Sequence, residues 1–287
     1  MVAAQRRQQM SDTIAELIAG RFGLPTTTGK DEQADGAVAT LLGHRTIRRY
    51  TDAAIDEATL ELLFACGLSA PSKSDLQQAS IVRVQAAGQR QAIAALIPDM
   101  PWIASAPVFL VVCGDSRRIR RIAEQRGHAF ANDHFDAVVN AISDAAMVLQ
   151  NLVTAAEALG LGACPISVVR NHAARIIELL ELPAQVFPLA GLCLGHPAHP
   201  GYVSMRLPPA VTVHVDRYDD SDLAAQVDAY DRRRAAVYAI PPEKQREPER
   251  FGPAGFYGWS EDKARQTANP ERADLGATLR GRGLSFD

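Results

Sequence analysis

HFDAVVNAISDAAMVLQNLVTAAEALGLG, residues 134–162, is the longest patterned stretch of this chain. Val138, Ile142, Ala145, Val148, Leu149, Leu152, Ala156 and Leu159 recur at spacings of three and four, the interval that stacks side chains on one face of an α-helix. Ala141, Ala146 and Met147 add apolar groups on the adjoining faces, so little of the surface is strictly polar. Such a helix is buried on most sides, in a core or at an interface. Gly160 and Gly162 end it.

The chain on either side supplies elements to pack against it. Residues 163–169 read as a strand, Asn171 to Leu180 as a helix, and VFPLAGLCLG, 186–195, as an apolar strand. APVFLVVCGD, 106–115, is a continuous apolar run with β-branched residues, which marks a buried central strand. SIVRV, 80–84, is a short strand and 88–97 a helix. Asp56 caps a helix whose Leu60, Leu63, Phe64 and Gly67 fall near one face, and a further helix lies around 37–43. Arg117 to Arg126 reads as solvated basic helix surface. LPPAVTVHV, 207–215, alternates valines behind two prolines and reads as an edge strand. Residues 220–239 form a polar helix, 240–260 are rich in Pro and Gly, and a short helical tail follows Glu261. Near the N-terminus Ser11 caps an amphipathic helix through Ile14, Leu17, Ile18 and Phe22 that Gly23 closes, and LPTTTGKDEQADG reads as a linker. The resulting division is 1–36 as N-terminal helix and linker, 37–240 as one domain, and 241–287 as a C-terminal extension.

At 287 residues and 47% hydrophobic content the chain can bury a large core. It has no run of 18 apolar residues, and its N-terminus lacks the apolar segment of a secretory signal, so the expectation is a soluble, cytoplasmic protein. A net charge of −3 gives no bulk attraction to nucleic acid or an anionic membrane. Cation clusters must act locally. Only Lys30, Lys73, Lys244 and Lys263 are lysines, and with arginine so abundant no single Arg carries an argument. Cys66, Cys113, Cys164 and Cys193 sit among apolar neighbours without CxxC spacing, as reduced core cysteines do. His196 and His199 in GHPAHPG lack a nearby Cys or carboxylate and nominate no metal site. Walker, GxSxG, HExxH and kinase motifs are absent, and GLGAC follows a helix rather than a strand. If the chain is an enzyme, a cofactor carries the chemistry.

Two segments suggest which. HRTIRRYTD, 44–52, crowds three arginines and a histidine together. Guanidinium forks match phosphate oxygens bidentately, and His44, Arg45, Thr46 and Arg48 together suit one phosphate monoester; taken alone, the segment also reads as a solvated basic turn. APSKSDLQQ, 70–78, puts Pro71 at a turn and Ser72, Ser74, Asp75, Gln77 and Gln78 in a loop between a helix and a strand. That density of donors and acceptors suits the polar edge of a flavin ring and its ribityl chain.

HRTIRRY, SAPSKSDLQQASIVRV, DAAMVLQNLVTAAEALGLGACPISVVRN, LELPAQVFPLAGLCLGHPA and MRLPPAVTVH occur in this order. In that order they resemble the nitroreductase superfamily, and within it the NADPH-dependent flavin reductase and major oxygen-insensitive nitroreductase branch. The resemblance covers roughly residues 40 to 240, and WSEDKAR with the following tail is similar to that branch's C-terminus. It implies an α+β fold, a mixed sheet flanked by helices, in an intertwined homodimer with two FMN sites at the subunit interface. By the same resemblance, His44, Arg45, Thr46 and Arg48 meet the phosphate and ribityl chain, and Ser72, Ser74 and Gln77 belong to the loop that meets the flavin. Pro165, Ile166, Ser167 and Val168 bring backbone groups to the flavin N5 edge, and Arg206 is a second phosphate arginine. Three positions depart from the pattern. Ser204 stands where the branch often has a phosphate-binding lysine, Pro165, Ser167 and Val168 replace a more glycine-rich loop, and Asp75 replaces an Asn.

With FMN bound, the hydride chemistry belongs to the isoalloxazine and the protein needs no catalytic acid or nucleophile of its own. NADPH or NADH donates, a small aromatic acceptor such as a nitroaromatic, quinone or flavin follows on the same face, and turnover is ping-pong. Lys244, Arg246 and Arg250 in PPEKQREPERFG read either as a solvated charged loop or as contacts to a 2′-phosphate, and Phe251, Phe256, Tyr257 and Trp259 either as tail packing or as the lining of an entrance. The alternatives are another FMN reaction, such as reductive dehalogenation or dehydrogenation, and a flavin-binding protein without turnover.

Overall fold

The structure, a computed structural model, describes residues 12–287. Its first half contains helices α1 (Ile14–Phe22), α2 (Gly36–Leu42) and α3 (Glu57–Leu68), strand β1 (Ala79–Arg83), helices α4 (Ala87–Leu96) and α5 (Trp102–Ser105), strand β2 (Val108–Asp115) and helix α6 (Arg117–Gln125). Helix α7 (Phe135–Ala158), strand β3 (Gly162–Ile166), helix α8 (Ala173–Leu179) and strand β4 (Val186–Gly195) follow. The remainder holds α9 (Pro209–Thr212), α10 (Leu223–Val237), α11 (Pro248–Phe251), α12 (Trp259–Thr267) and α13 (Leu275–Gly281). These elements form two compact units. His44–Tyr202 packs with Arg272–Asp287, and the described residues up to Gly43 pack with Val203–Glu271.

The first of these units is built on a sheet of order β1-β2-β4-β3. Every pairing in it is antiparallel, where the resemblance implies a mixed sheet. The α+β class and the flanking helices are as expected. In β2, Val108, Leu110 and Val112 join Leu60, Leu63, Leu152 and Leu192 on one face, while Phe109, Val111 and Cys113 join Ile93, Ile103, Ile176 and Cys193 on the other. Both faces are covered, which is why APVFLVVCGD shows no polar alternation.

Helix α7 lies on the first face through Ala145, Val148, Leu152, Val153 and Ala156, and its Val138 and Ala141 pack instead with Phe187, Leu279 and Leu284. Small side chains let it pack closely, and α3 crosses it at Gly67, where an added Cβ would stand 2.8 Å from Leu152. Its burial is less complete than its composition predicts: Phe135, Val139 and Ile142 stay 38–47% exposed. By length and composition α7 would suffice to cross a membrane. Here it is a packed helix, and two of its acids bond neighbouring loops. Strand β3 stops at Ile166, short of the expected 169, and a 3₁₀ turn covers Ser167–His172.

In the other unit the helix expected at Ile14–Phe22 is present. Gly23 closes it at φ +65°, and Thr13 caps it through a reciprocal bond pair with Glu16 of 3.2 and 2.7 Å. Ser11, the expected cap, lies outside the described residues. Arg21, 5% exposed, donates to the Leu42 carbonyl at the end of α2 and to the Ser204 carbonyl, where a cation complements the helix dipole. The strand expected over 207–215 is a correction. Pro209 at the first helical position starts the short helix α9 instead, and Val213 and Val215 are exposed rather than paired. Among the described residues these valines pair with no strand.

Candidate functional site

Asp144, on α7, is 1% exposed. Its carboxylate accepts from Ser72 Oγ at 2.8 Å, the Lys73 N–H at 2.9 Å and the Gln78 N–H at 2.8 Å. Ser72 Oγ in turn accepts the Gln77 N–H at 2.7 Å. These bonds hold a loop in which Ser74, Asp75 and Gln77 have φ of +50, +57 and +52°, a region that L-residues seldom occupy and that persists only where surrounding structure enforces it. Lys73, Ser74, Asp75 and Gln77 all stay exposed. The Gln77 amide donates to Asp75 at 3.0 Å.

Glu157, 13 residues further along the same helix, grips the other segment. It lies 2.8 Å from His44 Nδ1 and accepts the Arg45 N–H at 3.4 Å. Ile47 then adds to the outer edge of β3, its N–H donating to Ala163 at 3.0 Å, and is buried against Gly162, where a Cβ would meet it at 2.7 Å. Tyr50 anchors the far end through its hydroxyl, which donates to the Ile47 carbonyl at 2.6 Å and the Cys193 carbonyl at 3.2 Å. Burial pushes that phenol far above its usual range. Between these fixed points Arg45, Thr46 and Arg48 reach solvent. Neither Arg45 nor Arg48 has an ion-pair partner among the described residues. Arg48 lies 5.7 Å from the centre of the Trp102 ring, a contact that orients a guanidinium without neutralising it.

Pro165 and Ser167 are exposed, while the Ile166 side chain is 2% exposed and faces the core. Only the backbone of Ile166 can meet a ligand. Pro165 fits an edge strand because its missing N–H removes no ladder bond there, and Ser167 Oγ has Arg272 Nη2 at 3.4 Å. The neighbouring thiols are no nucleophiles. Burial raises Cys164, against the opposing charge of Arg48, and raises Cys193, and it pushes Cys113 up to about 12.

Arg206 belongs to the other unit. Its N–H donates to the Arg21 carbonyl at 2.8 Å, and its side chain bonds Ser204 Oγ. Ser204, at the position of a family lysine, therefore serves as a partner for Arg206. Tyr230 and Arg234 hold the Met205 carbonyl at 3.0 and 3.1 Å. Together Arg206, Arg234, Tyr230 and Trp259 border a cleft of about 300 Å³.

Two expectations about charge need correction. Arg246 donates to Asp262 at 3.0 Å, and Arg250 pairs with Glu247 at 3.2 Å and bonds Asn269, so of the three loop cations only Lys244 lacks an ion pair among the described residues. Arg118 and Arg120, expected in solvent, pair with Asp115 and Asp133. Asp144 and Glu157 are not among the candidates that motif and composition nominate; acids at core-facing registers of an apolar helix are the signal that marks them.

A family model described as "Nitroreductase family" matches residues 41–196, and one described as "Nitroreductase family, C-terminal domain" matches 204–287. The FMN reductase (NAD(P)H) of Bacillus subtilis is 38% identical over 68% of this chain and 80% of its own. The oxygen-insensitive NADPH nitroreductase of Salmonella typhimurium is 38% identical over 70% and 82%. Among solved structures, the NADPH:FMN oxidoreductase from Vibrio harveyi complexed with NAD⁺ superposes with a TM-score of 0.77 at 31% identity, over 88% of this chain and all of that one.

Proposed function

This chain belongs to the nitroreductase family, and from that premise we propose that it is an FMN-dependent oxidoreductase drawing hydride from NADPH or NADH. Its acceptors are flavins, nitroaromatics or quinones: the names of its relatives support flavins and nitro compounds, and an open aromatic-binding face admits quinones as well. The carrying observation is the pair of acids on α7. Glu157 presents the arginine segment and Asp144 presents the hydroxyl- and amide-rich loop, each with donors left over for a ligand.

The donor set fits FMN. Arg45, Arg48 and Thr46 suit a phosphate dianion and hydroxyl chain, and Ser72, Ser74 and Gln77 suit the ring's polar edge. Pro165 to Ser167 offer backbone groups from the edge of β3, and Arg206 is a further phosphate ligand by family pattern. Bound FMN supplies two-electron hydride acceptance and release, which no side chain here provides. Arg45 and Arg48 bind and orient, and their charge favours anionic ligands. Donor and acceptor occupy the remaining open face in turn, so turnover is ping-pong.

The separation of the two segments bears on assembly. Thirteen residues of α-helix span roughly 20 Å, so one α7 holds its arginine segment and its loop apart. We infer a homodimer in which the loop of one copy completes the site of the other. Phe135, Val139 and Ile142 on α7, with Leu62 and Leu68 on α3, supply exposed apolar surface for it. A soluble, cytoplasmic setting is part of the same reading; the packing of α7 against the sheet supports its soluble part.

The test is purification with FMN present, the visible spectrum, and anaerobic addition of NADPH or NADH. A yellow protein that bleaches and recovers colour with a nitroaromatic or quinone supports the reading. A protein that stays colourless after FMN saturation sinks it.

A further inference from the structure

Arg118, on α6, makes a set of bonds that its neighbours do not. Its guanidinium donates to the Gln77 carbonyl at 2.5 Å, the Ala79 carbonyl at 3.1 Å, Ser80 Oγ at 2.6 Å and Asp115 Oδ2 at 2.9 Å. Ser80 Oγ donates to the same carboxylate at 2.6 Å, and Asp115 also accepts the N–H groups of Arg117 and Arg118 at the start of α6. The Asp115 N–H donates to the carbonyl of Gln78 at 2.9 Å. Along the chain, then, the Gln77 carbonyl goes to Arg118, the Gln78 N–H to Asp144, the Gln78 carbonyl to Asp115 and the Ala79 carbonyl to Arg118.

Gln77 is the residue this arrangement constrains most. It sits at φ +52°, where a non-glycine side chain crowds the backbone and the conformation persists only when its surroundings hold it. The Ser72 bond fixes its N–H and the Arg118 bond fixes its carbonyl, so both peptide planes flanking its Cα are held. The amide side chain is left exposed and directed by Asp75. We propose that Arg118 is a positioning residue for the cofactor loop: by holding the Gln77 carbonyl it keeps Gln77 left-handed and presents its amide in one orientation. The proposal rests on the flavin reading above. Arg121, also exposed on α6, makes none of these bonds and provides a control of equal charge loss.

The test compares wild type with Arg118→Ala, Arg118→Lys and Arg121→Ala in the full chain. FMN affinity is read from flavin fluorescence, loop order from hydrogen exchange of the Gln77 and Gln78 amides, and global stability from thermal unfolding. Arg118→Ala is expected to weaken FMN roughly tenfold, the consequence of about 1.4 kcal/mol, and to speed exchange at both amides, with its midpoint close to that of Arg121→Ala. Arg118→Lys keeps the charge but loses the fork and falls in between. Should the Ala variant fail to fold, the Lys variant decides on the same readouts. A fall in the midpoint alone, with affinity and exchange as in Arg121→Ala, makes Arg118 merely structural and overturns the proposal while the flavin reading stands. Wild-type protein that takes up no FMN overturns both.

Discussion

Replacing Asp144 by Asn keeps the size of the side chain and removes its charge, which isolates the acid's role in the loop. One carboxylate oxygen accepts from both Ser72 Oγ and the Gln78 N–H, the other from the Lys73 N–H. An amide can satisfy only one of these sides. In its better orientation it keeps two acceptor contacts and sets its NH₂ against the Lys73 N–H. The lost charged hydrogen bond is worth about 1.5–3 kcal/mol, and an N–H left unpaired about 1–3. Part of that loss is offset because the released loop relaxes its left-handed residues, worth of order 1 kcal/mol each. The net expectation is about 2 kcal/mol of stability for Asn and about 3 for Ala, where all three donors lose their acceptor. Urea unfolding followed by circular dichroism measures this, and FMN titration should show a parallel loss of affinity. An Asp144→Asn variant within about 0.5 kcal/mol of wild type, the range of neutral surface changes, and with unaltered FMN affinity, would refute the assignment of Asp144 as the anchor of the loop.

Arg48→Ala should weaken FMN retention by about 1.5–3 kcal/mol, measured by flavin fluorescence titration; undiminished affinity removes Arg48 from the phosphate site. Gly67→Ala places a methyl group 2.8 Å from fully buried Leu152. Overpacking costs about 1–3 kcal/mol and should outweigh the gain in helix propensity of about 1, so the thermal midpoint falls; a rise would mean that α3 and α7 separate easily. Burial pushes Asp262 up, but Lys263, Arg246 and Tyr257 outweigh it and hold the carboxyl below its usual range. Its stabilising contribution is therefore complete above the unfolded value of about 3.9 and disappears as pH falls through the lower folded value. Asp262→Asn should flatten the stability profile below about pH 4, as followed by urea midpoints, and an unchanged acid limb would contradict the pairing.

Much of the fold was legible because it follows from local periodicity and caps. The 3.6-residue pattern of 134–159, the apolar runs of β2 and β4, Asp56 as a cap and Gly23 as a stop each express a rule that acts within one turn or one strand. The candidate segments at 44–48 and 70–78 were legible for a related reason, since crowded guanidiniums and a polar loop between apolar elements are unusual in composition. The valines of 207–215 misled because alternation marks a strand only where a sheet edge exists to receive it.

What remained for the tertiary structure was the pairing of groups far apart in the chain. Asp144 to Ser72, Glu157 to His44, Arg118 to Gln77 and Arg246 to Asp262 join residues separated by 72, 113, 41 and 16 positions. A carboxylate in an apolar helix and an arginine on a basic one look alike in sequence whether they meet water or a loop, because their partners are chosen by packing of the sheet and helices. Periodicity and caps therefore determined the elements and composition nominated the candidate segments, while three-dimensional packing settled which charges are paired inside the protein and which stay exposed.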